Sequence, residues 1–198
     1  MAREIGISNV TLFPVQNETN IDIQYGQAIP LKWAVSLEST LNYSESAYYA
    51  DNIQEFSSKL LTSIDLTLEM SSNISPEIDA QITGKYFING TAITSANTLP
   101  KPFAVAFEVK MDDGNLRRFV YYKTIFTREN ISNETVSDSV TAQVYTYNGK
   151  CGALLKNNSF MSVMDKAVID AMPPGPDKVD AELAWNNFFT EPQGTDLI

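Results

Sequence analysis

Apolar side chains alternate with other residues along positions 103–111, and a stretch rich in aromatic and β-branched residues follows at 116–127. Between them, the sequence Asp-Asp-Gly-Asn at 112–115 supplies turn residues that tolerate positive φ. The alternating apolar positions are Phe103, Val105, Phe107, Val109 and Met111. This pattern predicts a β-hairpin whose first strand is buried on one face only.

The same two-residue period predicts further strands. Residues 63–70 carry an inward apolar face, formed by Ile64, Leu66, Leu68 and Met70. Residues 29–37 and 139–147 are also strand-like, because they are rich in residues that favour strands. Residues 151–156 form a candidate short strand. These segments together predict a mainly β protein.

Helical signals are few. Residues 75–84 predict a short helix in which Ser75 is the N-cap, Pro76 occupies the first helical position and Gly84 is the stop. Glu77 lies near the positive end of the helix dipole. Residues 160–172 fit a helix or a strand almost equally well, so the spacing leaves both open.

Two segments show no regular period. Residues 38–60 include the stretch AYYADNIQEF at 47–56, which lacks the Gly or Pro of a tight turn. A structureless loop of that length usually has a function. The sequence PPGP at 173–176 starts a largely polar tail that carries Leu183, Trp185, Phe188 and Phe189. We therefore predict one β domain over 1–172, with an irregular loop at 38–60, and an extended arm over 173–198.

Composition sets broad limits on the chain. It has 198 residues, of which 43% are hydrophobic, enough for one globular domain with a core. No run of eighteen apolar residues occurs, and the first residues lack the layout of a secretory signal. The single cysteine, Cys151, excludes an intramolecular disulfide framework. We expect synthesis in a reducing cytoplasm.

The chain is acidic, and its charge is unevenly distributed. Fourteen basic and twenty-four acidic residues give a net charge of −10, which argues against non-specific attraction to nucleic-acid phosphates. Residues 38–79 contain eight acids and one base, a local net charge of −7. Residues 101–128 contain six bases and three acids, a local net charge of +3. These blocks are either solvated faces or complementary surfaces between subunits.

Much of the usual catalytic inventory is missing. The chain has no histidine, which removes the commonest general base and metal ligand, and one cysteine cannot build a zinc site. The Asp-Asp-Gly at 112–114 lacks the later ligands of a calcium loop, so a hairpin turn explains it better. A pair of carboxylates of the glycosidase type is the remaining enzymatic possibility. We predict a protein that is not an enzyme and that has no cofactor or metal.

In their order and spacing, these elements resemble the major tail proteins of long-tailed, non-contractile phages. The likeness covers roughly residues 5–157. It is carried by a Tyr-Ala-Asp motif at 49–51, by the short acidic helix with its glycine stop, and by the hairpin that begins Pro-Phe at 102 and turns at Asp-Gly. The 173–198 segment has no clear counterpart in the resemblance.

The resemblance implies two packed antiparallel sheets with one short flanking helix, in a subunit that forms hexameric rings. Stacked rings would form the tail tube of the virion, the conduit through which DNA is ejected into the host. Tape measure, tail terminator and distal tail proteins are the implied partners. We expect an acidic lumen, because basic residues that neutralise phosphates would hold the DNA back.

On the resemblance, residues 38–60 form a docking loop. Tyr48, Tyr49, Asp51 and Phe56 are its predicted contacts with a neighbouring subunit, since tyrosine and phenylalanine supply contact area at interfaces. The alternative is a loop that folds back over its own sheet.

The arm and the basic hairpin supply the other predicted contacts. Trp185, Phe188 and Phe189 are expected to pack on a neighbouring subunit, because exposed aromatic side chains are costly unless covered; the alternative is that they close over their own sheet. Arg117 and Arg118 are consecutive in one strand and point to opposite faces, so at least one is expected to face solvent or an acidic partner.

A different function remains open at this point. A non-enzymatic decoration or carbohydrate-binding β-module on the virion would share this composition. Assembly state distinguishes the two, because a decoration module stays a small oligomer and a tube protein polymerises.

Overall fold

The computed structural model describes residues 3–50, 53–72, 74–128 and 143–195. These residues form eleven strands and three helices. The strands are β1 (Glu4–Glu18), β2 (Ile23–Tyr25), β3 (Ile29–Pro30), β4 (Ala34–Ala50), β5 (Ile53–Ser71), β6 (Tyr86–Ile88), β7 (Thr91–Ile93), β8 (Pro102–Met111), β9 (Leu116–Thr127), β10 (Val144–Cys151) and β11 (Met161–Asp165). The helices are α1 (Pro76–Thr83), α2 (Lys166–Ala171) and α3 (Pro176–Asn187). The mainly β prediction is therefore confirmed.

One antiparallel sheet of nine strands dominates the molecule. Its main path runs in the order β2-β1-β8-β9-β10-β5-β4, while β3 pairs with β1 and β11 pairs with β9. One edge of β9 pairs with β8, and its other edge is shared by β11 near the start and β10 near the end. Strands β6 and β7 form a separate small sheet. In the described residues, one large sheet, one small sheet and three helices thus replace the expected pair of packed sheets with one helix.

The first core lies between the two ends of the large sheet. β1 and β4 approach one another, so residues from both halves of the sheet pack together. The inward face of β5 is confirmed, since Ile64, Leu66, Leu68 and Met70 are all fully or almost fully buried. Ile82 of α1 closes this cluster from the helix side.

The β8–β9 hairpin is confirmed, with Gly114 at a positive φ of 86° in its turn. The expectation that β8 has one buried face is wrong, because Phe103–Val109 are buried on both faces. Odd-numbered side chains enter the first core, whereas Ala104 and Ala106 enter a second cluster with Val120 and Tyr122 of β9. The alanines therefore mark a second covered face.

The C-terminal segment supplies that second cover. The predicted extended arm at 173–198 is wrong for its described part, because Pro176 begins helix α3 and the segment then packs back on the sheet. Pro176 suits the first turn of a helix, where its missing N–H costs nothing. Phe188 is fully buried in the second cluster, and the Tyr122 Oη donates a hydrogen bond to the Gln193 carbonyl at 3.0 Å. The alternative, closure over its own sheet, is what the structure shows.

The predicted helix at 75–84 is confirmed as α1. The Ser75 hydroxyl accepts a hydrogen bond from the Ile78 N–H at 3.3 Å, and Pro76 begins the helix. Gly84 ends it at a φ of 72°, and a Cβ there would lie 2.3 Å from the Leu99 carbonyl oxygen. The glycine is therefore required by both conformation and space.

Several shorter predictions change in detail. Residues 160–172 contain both candidates, a strand and then a helix, because the Asp165 side chain caps α2 by accepting from the Ala167 N–H at 3.0 Å. Residues 29–37 are split between β3 and β4 by Trp33, which has a φ of 70°. Of the 139–147 strand, the part from Val144 is confirmed within β10, and 139–142 lie outside the described residues. Residues 152–156 are not a strand.

The irregular loop predicted at 38–60 is wrong. Its described residues belong to two long antiparallel strands, β4 and β5, which pair with each other from Ala34 to Met70. The sequence signal fails for a physical reason: alternation arises only where one face is buried, and no side chain of residues 43–47 or 57–60, in the described part of the distal half, is buried. Without burial, polar and apolar residues follow no two-residue period.

Candidate functional site

The distal half of the β4–β5 hairpin is a two-stranded ribbon. We define the ribbon as residues 42–50 and 53–63, because β10 pairs with β5 only from Ile64 to Ser71. Eleven residues of β5 at about 3.3 Å each give the ribbon a length of about 35 Å. Over this length, both outer edges lack a paired strand among the described residues.

The ribbon exposes apolar side chains beside polar ones. Leu60 is 68% exposed and Tyr43 is 46% exposed. Glu45 and Lys59 form an ion pair at 2.7 Å across the strands, and the ammonium of Lys59 lies 5.0 Å from the ring centroid of Tyr43. The hydrogen bond and charge of Lys59 lower the pKa of Glu45. Because an isolated two-stranded ribbon is only marginally stable in water, this one is a candidate for contact with a partner.

For the residues predicted to contact a neighbouring subunit from this region, the structure describes little more than the backbone. Tyr48 and Phe56 are cross-strand partners, and Tyr49 pairs with Gln54. Of Tyr48, Tyr49 and Phe56 the structure describes only the backbone, and Asp51 lies outside the described residues. The backbone corrects the prediction of an irregular loop, because it places Tyr48, Tyr49 and Phe56 in paired strands near the tip of a hairpin.

The outward face of β4, β5 and β10 is polar. The alternation that buries Leu66 and Leu68 turns their neighbours to the opposite face. Apart from Val144, which is exposed, the outward residues are Ser36, Glu38, Thr40, Asn42, Asp65, Thr67, Glu69, Ser71, Thr146, Asn148 and Lys150. Three acids and one base give this face a net charge of −2. Asn42 donates to Asp65 at 2.7 Å and Ser36 to Glu69 at 2.8 Å, which orders side chains within the face.

Arg117 and Arg118 point to opposite faces of β9, as predicted. Both are already paired within the chain. Arg117 contacts Asp165 at 2.9 Å and Glu4 at 3.3 Å. Burial alone would raise the pKa of Asp165, but hydrogen bonds from Asn115 and Arg117 hold it below its usual range. Neither arginine therefore carries an unpaired charge that a neighbouring subunit would have to compensate.

Arg118 holds the C-terminal segment in place. Its Nε donates to Glu108 at 2.8 Å, and its guanidinium lies 3.9 Å from the ring centroid of Trp185 and 4.8 Å from that of Phe189. It also donates to the Trp185 carbonyl oxygen. Trp185 is 7% exposed and Phe188 is fully buried, while Phe189 is half-buried. The three aromatic side chains predicted to bind a neighbour instead cover their own sheet.

A buried charge network at α1 was not predicted from the sequence. Asp79 accepts hydrogen bonds from Tyr147 at 2.6 Å, Lys85 at 2.9 Å and Arg128 at 3.2 Å. Burial alone would raise the pKa of Asp79, but these three donors more than offset it and lower the pKa. The guanidinium of Arg128 also stacks over the ring of Tyr145, 3.6 Å from its centroid. The available signal was an acid between Ile78 and Ala80, on the face that α1 buries.

Two further exposed features were also missed. The small β6–β7 hairpin exposes every one of its six strand residues. Trp33 is 61% exposed at a positive φ, an uncommon conformation for a bulky residue. The Asn-Gly turn at 89–90, between two short apolar runs, was the signal for the hairpin.

The fold and these surfaces define a mainly β protein with two uncovered hairpins. Neither known protein families nor curated proteins match the chain. Within the described ranges, no group of three or more acidic or cysteine side chains is placed to hold a metal ion. In the same part of the chain, none of the helices has the length and apolar character needed to cross a membrane.

Proposed function

We propose that this protein is a structural subunit that assembles with copies of itself into the tail tube of a long-tailed phage, as stacked hexameric rings. The observation that carries the proposal is the ribbon. About 35 Å of two-stranded sheet with exposed apolar side chains and open edges needs a partner to become stable. We take that partner to be a second copy of the chain, because it is always present at the same concentration.

The polar face of β4, β5 and β10 supports a role as a DNA conduit. A surface with a net charge of −2 and many hydroxyl and amide groups gives phosphates no cluster of cations to bind. If this face lines the lumen, six copies would present an acidic wall along which DNA slides. Tape measure, tail terminator and distal tail proteins would then be the partners at the tube ends, and the virion would be the location.

Electron microscopy of the concentrated protein tests the proposal. We expect tubes with a regular axial repeat, and a sedimentation profile that shifts to large particles as concentration rises. A protein that stays monomeric or forms only small closed oligomers across the same range would contradict the proposal. Binding to a glycan array in that state would favour the decoration or carbohydrate-binding module instead.

A further inference from the structure

The sequence Asn-Gly occurs twice in the chain, at 89–90 and at 148–149. In such a pair the backbone nitrogen of the glycine can attack the asparagine side chain, because a residue without a side chain leaves room for the approach. The two pairs lie in different surroundings. Asn89 and Gly90 form the exposed turn between β6 and β7, whereas Asn148 and Gly149 lie inside β10. The chain therefore holds the same chemistry under two different structural restraints.

The reaction exchanges the asparagine amide for a carboxylate. The backbone nitrogen of the glycine loses its proton and forms a bond to the side-chain Cγ of the asparagine, and the side-chain nitrogen leaves as ammonia. The product is a five-membered succinimide ring. Water then adds to one of its two carbonyl groups and breaks a C–N bond, which gives aspartate or isoaspartate. One water is consumed and one ammonia is released, so the reaction needs no oxidant, reductant or enzyme.

The sheet protects the pair in β10. Asn148 pairs with Thr67 of β5 on one side and with Thr127 of β9 on the other, so the extended backbone is fixed at both edges. Gly149 is buried, and a Cβ there would lie 2.6 Å from a ring carbon of Phe126. Ring closure at this site requires the centre of the sheet to open, which costs nearly the whole free energy of unfolding.

The turn of the β6–β7 hairpin has little to hold it closed. It joins three residue pairs, and among the described residues β6 and β7 pair with no further strand. All six strand residues are exposed, and no described atom lies within 4 Å of the position that a Gly90 Cβ would take. Because a two-stranded hairpin is only marginally stable in water, its brief opening costs little free energy.

Opening is required because the closed turn is not the reactive geometry. Asn89 and Gly90 have φ values of 50° and 79°, the left-handed pair of a tight two-residue turn. The succinimide ring contains both the Gly90 nitrogen and the Asn89 Cγ, so the Asn89 backbone must leave the left-handed region before the ring closes. The rate of the reaction therefore follows the population of the open hairpin.

We propose that Asn89 is a site of spontaneous deamidation, and that the folded sheet protects Asn148 from the same reaction. Residues 86–93 carry no charged side chain, so the product places a first carboxylate on this hairpin and lowers the chain's net charge of −10 by one. In isoaspartate the main chain runs through an additional carbon, which disrupts the two-residue turn. The reaction takes place within a single chain and does not depend on the proposed self-assembly.

Peptide mapping by mass spectrometry measures both sites in one sample. The full-length protein is kept at low concentration in neutral buffer for several weeks, and fragment ions assign each deamidated position. In the folded protein we expect Asn89 to react at least about ten-fold faster than Asn148. In guanidinium chloride, where only the neighbouring residues in the sequence set the rate, the two sites should react at similar rates.

Two variants assign the charge change. Asn89→Gly introduces a residue that tolerates the left-handed turn, and it should strongly reduce the acidic species that isoelectric focusing detects in the aged protein. Asn148→Thr is the matched control, because threonine suits a strand, and the acidic species should remain. Labelling of the aged protein by an isoaspartyl methyltransferase gives an independent readout of isoaspartate at position 89.

Equal rates at Asn89 and Asn148 in the folded protein would overturn the proposal, because the fold would then not control the reaction. An Asn89 that stays unmodified in the folded protein would overturn it as well, since the turn would then be as well protected as the sheet. Acidic species unchanged by Asn89→Gly would place the modification elsewhere in the chain and contradict the assignment. None of these results bears on whether the protein forms tubes.

Discussion

The two long hairpins of this molecule differ in what covers them. The β8–β9 hairpin is enclosed on both faces, by the first core on one side and by Phe188 and its neighbours on the other. In the ribbon of β4 and β5, no side chain of residues 43–47 or 57–60 is buried, and neither outer edge has a paired strand among the described residues. Both have the same backbone pairing, but one is stabilised by its own chain and the other lacks that stabilisation. The difference indicates where a partner is needed.

The largest effect is expected at the β8–β9 hairpin, which is covered on both faces. Phe188→Ala should lower the free energy of unfolding by about 3–5 kcal/mol, because it leaves a cavity beneath α3 in a fully buried site. Leu183→Ala is the matched control on the same helix, 58% exposed, and should change it by less than about 0.5 kcal/mol. Urea denaturation of the monomer measures both.

Truncation after Met172 extends that test. It should lower the thermal stability of the monomer, since the removed segment covers the second cluster. Equal stability of the truncated and full chains would mean that the C-terminal segment does not cover the sheet in solution.

The next largest effect concerns α1, which covers the sheet near the end of β9. Asp79→Asn should cost about 3 kcal/mol at neutral pH, because Lys85 and Arg128 lose the buried carboxylate that pairs them. The folded pKa of Asp79 is lowered, so its stabilising contribution is present above the unfolded pKa of about 4 and is lost as the pH falls through the folded pKa.

Unfolding curves at a series of pH values check this prediction. The difference between wild type and Asp79→Asn should shrink as the pH falls below about 4. Asp180→Asn, on the exposed side of α3, is the control and should follow the wild type throughout. A gap between wild type and Asp79→Asn that stays constant at acid pH would rule out the charge network as its source.

A substitution in the ribbon should affect assembly and leave the stability of the monomer nearly unchanged. Leu60→Ser should change the free energy of unfolding by less than about 0.5 kcal/mol, because the side chain is already exposed. Burying a leucine is worth about 1.5–3 kcal/mol, so loss of that contact should raise the critical concentration for assembly roughly ten-fold or more. Sedimentation across a concentration series measures it, with Val179→Ser as the control. Assembly identical to wild type would remove Leu60 from any interface.

Burial also explains which elements could be predicted from the sequence. Ile64, Leu66, Leu68 and Met70 alternate because one face of β5 is buried, and the strand was predicted correctly. The α1 caps depend on local chemistry at Ser75 and Gly84, which the sequence states directly. The same reasoning missed the ribbon, because residues 43–47 and 57–60, whose side chains the structure describes, have no buried face to impose a period.

Other outcomes depended on contacts between distant residues. Trp185 meets Arg118, 67 positions away in sequence, and no local pattern records that pairing. The aromatic residues of the tail indicated correctly that something must cover them, but not that their own sheet would do so. The Asp79 network likewise joins α1 to β10 and the end of β9. Such contacts are set by the topology of the sheet, which the sequence pattern left open.

The smallest expected effect on folding and assembly concerns the polar face of β4, β5 and β10. Glu38→Lys with Asp65→Lys changes each subunit by four charges at exposed positions, so folding and assembly should change little. If this face lines the lumen, the variant tubes should retain short DNA duplexes that resist nuclease, and salt should release them, because each new lysine neutralises a phosphate. The control, Asp180→Lys with Glu182→Lys, makes the same charge change on α3, where any bound DNA should stay open to nuclease. Nuclease-resistant DNA in both variants, or in neither, would mean that the polar face does not line the lumen. Only an enclosed surface can both bind the duplex and shield it from the nuclease.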